Sequence, residues 1–205
     1  MKKMNFSKPI VGTEWITAIE YILPDGTTTT IKPESMTQLF NNTLVYKDNP
    51  RIILRGKLDS FQAELIHCIF QCRTLYQISS DLLLQLRELL DYSRNILKHE
   101  VLNTVLPNQN LLSWTYDEIR LRSHNPLEFY KLEQMVLIDD SFQGSVILLN
   151  LLRAKIREIE LIAVQAFKDD TQNTHTSLIM GLNRMSSCFH ILMYQEMAFL
   201  FSKES

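Results

Sequence analysis

The sequence predicts an all-α fold, a bundle of four to five helices behind a small N-terminal β-hairpin or irregular segment. Three observations carry this. Hydrophobic residues fill 45% of the 205 positions while glycine (five) and proline (six) are scarce, as in a compact helical protein. From Asn49 onward the apolar residues follow a helical period. The first 45 or so residues have a different texture, β-branched and turn-rich.

The elements follow in order. EWITAIEYIL tends to β structure, PDG reads as a turn and TTTTI is a β-branched run, so a hairpin is expected from about residue 14 to 31. KPESMTQLFNNTLVYK (32–47) reads as an irregular connector or a short helix. Asn49 can cap a helix and Pro50 suits its first position, so a long helix is expected to about Tyr76. A second starts near Ser80 and continues to about Val105. SWTYDEIRLRSH is a short third helix, with Thr115 and Glu118 spaced as a capping box, ending before Asn125-Pro126. A fourth begins near Asp140 or Ser141, and a last one runs from about Thr176 to Phe201. The expected organisation is one domain, with residues 1–46 as an N-terminal segment and 47–205 as the bundle.

Bulk properties exclude several classes. The net charge of -2 gives no global basic field for nucleic acid or a membrane surface. No stretch is apolar for about 20 residues, so no transmembrane helix is expected. The start, MKKMNFSKPIVGTEW, lacks an apolar core, so no secretory signal is expected. Cys68, Cys72 and Cys188 suit free thiols in a reducing cytoplasm, with Cys68 and Cys72 as core residues one turn apart.

The segment LLNLLRAKIREIELIAVQAF (148–167) raises the functional question. At 100° per residue, Leu149, Leu152, Ile156, Ile159 and Ala163 form one core stripe. Arg153 and Arg157 lie together beside it with Asn150, while Leu148, Leu151 and Ile162 lie on the far side. A helix apolar on both sides is either central or covered by a second subunit. Its arginines then face a partly desolvated cleft, where a guanidinium is costly unless something negative meets it. That negative group is either a carboxylate, such as Glu158 or Glu160, or an anionic ligand; two guanidinium forks one turn apart suit neighbouring phosphates. The first long helix offers Asp59, which could orient one arginine and leave the other for phosphate. Gly56, mid-helix, suggests a helix or flat ligand against the backbone, or is merely tolerated.

Four segments in this order resemble the cobalamin adenosyltransferases, both the propanediol type and its ethanolamine-utilisation relatives: VYKDNPRIILRGKLDS (45–60), SHNPL (123–127), LLNLLRAKIRE (148–158) and GLNRMSS (181–187). KPESMTQL (32–39) resembles the ethanolamine branch before its first helix, and SHNPL and LLNLLR favour that branch. The resemblance implies a five-helix bundle, usually a homotrimer, with active sites between subunits. It implies transfer of the 5′-deoxyadenosyl group of ATP to cob(I)alamin with release of tripolyphosphate, with ATP, Mg²⁺ and cobalamin as substrates and cofactors. It further implies a cobalamin reductase and an adenosylcobalamin-dependent ammonia-lyase as partners, in the cytoplasm or a bacterial microcompartment.

Position by position, Arg153 matches the arginine that pairs with the first-helix aspartate, here Asp59, and Arg157 matches an ATP-phosphate arginine. Asn183 matches an ATP-binding asparagine, Lys47 a lysine near the triphosphate, and Arg51 falls on a matching arginine. The family's glycine-rich phosphate loop is replaced by 32–37, with Lys32, Ser35 and Thr37 as its ATP contacts; PDGTTTT (24–30) is a rival for that role or a plain turn. Some ethanolamine-type members bind a metal through a His and Cys cluster before the first helix. This chain has neither residue before His67, so no such metal site is expected. The residue closing the lower corrin face falls among Met135, Leu137 and Phe142. His124 belongs to the resemblance through SHNPL. The chemistry asks for cations rather than a protein nucleophile, since cobalt attacks the 5′-carbon and the leaving group is a polyanion. A helical interaction or cofactor-delivery module without catalysis stands as the alternative.

Overall fold

The computed structural model describes residues 19–134, 136–171 and 174–204, which fall into two compact units divided between Val45 and Tyr46. The N-terminal unit is a four-stranded sheet in the order β2-β1-β4-β3, formed by β1 (Tyr21–Ile22), β2 (Thr28–Thr29), β3 (Met36–Phe40) and β4 (Thr43–Tyr46). β1 and β2 are antiparallel with Tyr21 opposite Thr29, and Asp25 accepts from the Thr27 amide in the turn between them. This is the expected hairpin, although its first residues, 14–18, lie outside the described ones. The connector expected at 32–47 is instead a second hairpin. Met36 and Leu44 are the buried residues of MTQLF and TLVY, and Asn41 takes the left-handed turn conformation (φ 48°) that asparagine tolerates. β4 also pairs parallel with β1, Ile22 opposite Thr43.

The helical unit contains α1 (Pro50–Leu75), α2 (Leu82–Val101), α3 (Tyr116–His124), α4 (Pro126–Tyr130), α5 (Gly144–Ala166) and α6 (Thr176–Glu204). The expected five helices are therefore six among the described residues. The added one arises because Asn125 breaks the helical path (φ -128°, ψ 56°) and Pro126 starts a fresh turn, since it cannot donate into the preceding helix. The α1 start is as expected, with the Asn49 side chain accepting from the Arg51 amide and Pro50 in the first turn. Thr115 and Glu118 make both bonds of the capping box. α2 ends at Val101, short of Val105, where Asn103 turns left-handed (φ 53°). α5 starts at Gly144, because Asp139 accepts from the Ser141 amide and hydroxyl and closes a turn there instead.

The core stripe of α5 is as the wheel gives it: Leu149, Leu152, Ile156, Ile159 and Ala163 are all buried. The central helix is nevertheless α6, which packs against α2, α3, α4 and α5 and buries residues all round its middle. Gly181 lets α6 approach α2 closely, since a Cβ there would overlap the Tyr92 hydroxyl and crowd Leu106 at 2.9 Å. The outer side of α5 keeps Leu151, Leu161 and Val164 exposed. No described helix is long and apolar enough to cross a membrane.

Candidate functional site

A cleft of about 580 Å³ opens between α3, α5 and α6. α5 contributes Arg153, Arg157 and Glu160, which successive turns place on one face. α6 contributes Asn183, Arg184, Ser187 and His190, and α3 contributes Arg120, Ser123 and His124. Among the described lining residues, four arginines face a single carboxylate, Glu160. Neither Arg153 nor Arg157 makes an ion pair among the described residues. The Nε atoms of Arg153 and Arg184 are buried without a hydrogen-bond partner. Two open buried donors on the wall of one cleft leave it able to take up an acceptor, whether water, a ligand or a partner's side chain.

The electrostatics agree. Burial holds the Arg153 guanidinium below the usual arginine range, and the neighbouring Arg157 charge adds to the effect. The group stays charged at neutral pH, because an arginine starts so high. His190 is pushed down to about 4, first by burial and then by Arg153, Arg157 and His124, so it is neutral here at pH 7. Its ring packs edge-on against Tyr194, with centroids 4.8 Å apart. The cleft thus concentrates fixed positive charge with hydrogen-bonding side chains around it, which is the requirement for holding a polyanion.

The structure brings together Arg153, Arg157 and Asn183, three residues expected from sequence, and adds His124. It does not bring Asp59 to them. Asp59 is exposed on α1, about 140° round the helix from Glu64, and Glu64 is the residue that meets α5, through Lys155 at 3.0 Å. Arg51 is engaged elsewhere in the helical unit. Its Nε donates to Glu100 Oε1 at 2.6 Å, its Nη1 to Asn103 Oδ1 at 2.9 Å and its Nη2 to the Glu100 carbonyl at 2.9 Å. Arg55 also pairs with the wholly buried Glu100 carboxylate. Lys47 is exposed just before α1. Lys32, Ser35 and Thr37 belong to the N-terminal unit, where Thr37 lies in β3 rather than in a loop and Lys32 and Ser35 are exposed.

Of the three residues for the lower corrin face, Met135 lies outside the described ones. Leu137 is 83% exposed, whereas Phe142 is half-buried in a groove of about 420 Å³ with Val146, Met197 and Leu200 and the polar Ser141 and Gln143. Sequence reasoning missed Arg120, Arg184 and His190. His190 follows Asn183 by two helical turns, and Arg184 stands inside GLNRMSS, so both carried a signal. Arg120 carried none, since only the packing of α3 on α6 brings it in.

Comparison with known proteins bears on this site. The family model described as cobalamin adenosyltransferase matches residues 27–196, which include every cleft residue named above. The chain is similar to corrinoid adenosyltransferase EutT of Salmonella typhimurium strain LT2, 30% identical over 169 residues, 82% of this chain and 60% of that protein. It is similar also to corrinoid adenosyltransferase EutT of Escherichia coli K12, 29% identical over 164 residues, 79% of this chain and 58% of that protein. The chain thus spans about three-fifths of the length of these relatives. With a match running from the first hairpin through the central helix, and the arginine cleft inside it, the chain belongs to the cobalamin adenosyltransferase family.

Proposed function

We propose that this protein transfers the 5′-deoxyadenosyl group of ATP to cob(I)alamin, forming adenosylcobalamin in ethanolamine utilisation. The observation that carries the proposal is the set of arginines in the cleft, two of them with buried unpartnered Nε atoms, in a chain of this family. A purely structural bundle has no use for buried guanidinium Nε donors left without an acceptor, so the interaction-module alternative is not favoured. Cob(I)alamin, the second substrate, supplies the nucleophile. The residues then have three tasks: to hold the triphosphate, to take up the charge that grows on it as the C–O bond breaks, and to keep water away. Arg157 and Arg153 serve the second task, aimed at the leaving polyanion and positioned before the reaction. Asn183 holds the nucleotide.

Mg²⁺ accompanies ATP in solution, but the cleft residues do not fit a site for the ion. Their one carboxylate accepts from Asn183 at 2.9 Å and stands among four guanidinium groups. Mg²⁺ asks for carboxylate and water oxygens, so no step is assigned to it.

The remaining expected residues enter through assembly. Asp59 is exposed and Arg153 lacks a partner for Nε, a complementary pair left open on one chain. We take the pair to close between protomers of a homotrimer, with Lys47 and the 32–37 segment (Lys32, Ser35, Thr37) supplied to the triphosphate. Leu137 and Phe142 are the described candidates to cover the lower corrin face. A reductase that delivers cob(I)alamin, a lyase that uses the product and association with a microcompartment complete the proposal.

The test is the appearance of the adenosylcobalamin spectrum when reduced cobalamin and ATP are mixed with the protein. Arg157→Ala should lower kcat/KM by at least a hundredfold, the size of effect seen when one preorganised donor to a developing anion is removed. An unchanged rate would remove Arg157 from the polyanion site.

A further inference from the structure

Asn183 is held from two sides of opposite hydrogen-bonding character. Its Nδ2 donates to Glu160 Oε1 at 2.9 Å, and its Oδ1 accepts from Arg184 Nη1 at 2.8 Å. A carboxylate only accepts and a guanidinium only donates, so the carboxamide has one permitted orientation. Turned over, it would set oxygen against the carboxylate and NH₂ against the guanidinium, replacing two charge-assisted bonds by two repulsions. The two neighbours come from different helices, Glu160 from α5 and Arg184 from α6, so the grip also records how those helices meet.

We propose that Glu160 and Arg184 are positioning residues that lock the Asn183 carboxamide in one orientation, presenting its second N–H and its second lone pair to the nucleotide in fixed places. The inference rests on the adenosyltransferase reading of the cleft. It gives a reason for the one negative side chain among the described lining residues, which otherwise opposes binding of a polyanion. An asparagine left to turn over would present the wrong edge part of the time and would lose that freedom on binding. Locking it beforehand removes the cost.

The experiment measures ATP binding by calorimetry and adenosylation kinetics on the full chain, alongside the melting temperature. Glu160→Ala should raise Kd and KM for ATP about tenfold, the range expected when a hydrogen bond to a charged group is removed. Glu160→Gln keeps an accepting oxygen and should retain most of the affinity. Asn183→Asp sets two carboxylates face to face and should bind worse than either Glu160 variant. Adding Glu160→Gln to Asn183→Asp supplies a donor and should recover part of the loss, a rescue that a merely structural glutamate would not give. A Glu160→Ala protein with a lower melting temperature but an unchanged KM for ATP would overturn the proposal, as would an Asn183→Asp defect that Glu160→Gln does not relieve. A wild-type chain that neither binds ATP nor makes adenosylcobalamin would overturn the parent reading instead, and the lock with it as a nucleotide device.

Discussion

His190 shows how far one residue's environment departs from its sequence appearance. In the sequence it is one of five scattered histidines. In the fold, burial and the charges of Arg153, Arg157 and His124 bring it down to about 4 from an ordinary 6.5. The consequence for stability has a definite sign. Below pH 6.5 the unfolded chain takes up a proton that folded His190 refuses until about pH 4. Its contribution is therefore complete above pH 6.5 and lost as the pH falls toward 4. Melting temperatures measured from pH 7 to pH 4 should drop less steeply in His190→Gln than in the wild type, and the imidazole resonance of His190 should titrate near 4. Arg153 and Arg157 were legible from the helical wheel alone, because four-residue spacing fixes a shared face. Arg120 was not, because its place depends on a contact between helices far apart in sequence.

At the scale of elements, caps and breakers were the readable part. Asn49-Pro50 and Thr115/Glu118 define helix starts by local hydrogen bonds, so no tertiary knowledge was needed. The second hairpin was missed because NN, between β3 and β4, is a weaker turn signal than NG or the PDG of the first hairpin. The junction of α1 with α2 depends on Glu100, buried between Arg51 and Arg55. Glu100→Ala leaves two cations facing a void and should cost about 3–5 kcal/mol in denaturant unfolding, as for other broken buried pairs. Glycines at two helix positions should respond in opposite directions. Nothing lies within 4 Å of a Cβ at Gly56, so Gly56→Ala should stabilise the isolated chain by roughly 0.5–1 kcal/mol through helix propensity. Gly181→Ala forces the new methyl into Tyr92 and Leu106 and should destabilise it by about 1–3 kcal/mol.

For the whole molecule, the remaining expectations turn on the proposal that protomers share the polyanion site. The exposed Leu151, Leu161 and Val164 on α5, and Ile66 and Phe70 on α1, are apolar surface that an assembly would cover. If Asp59 and the α5 arginines act across a boundary, Asp59→Ala and Arg157→Ala proteins, each inactive, should regain activity when unfolded and refolded together. Random mixing gives roughly a quarter of the shared sites two intact halves. No regain after mixing would remove Asp59 from the arginine site. Membership of the family was readable from the order of a few short segments. That α6 rather than α5 is the axis of the bundle was not, because both are strongly apolar and only three-dimensional packing distinguishes them. That arrangement has a consequence for biosynthesis. A ribosome delivers α6 last of the six helices, so α3 and α4 must wait for the element they chiefly pack against, and the nascent α1, α2 and α5 carry uncovered apolar sides until then.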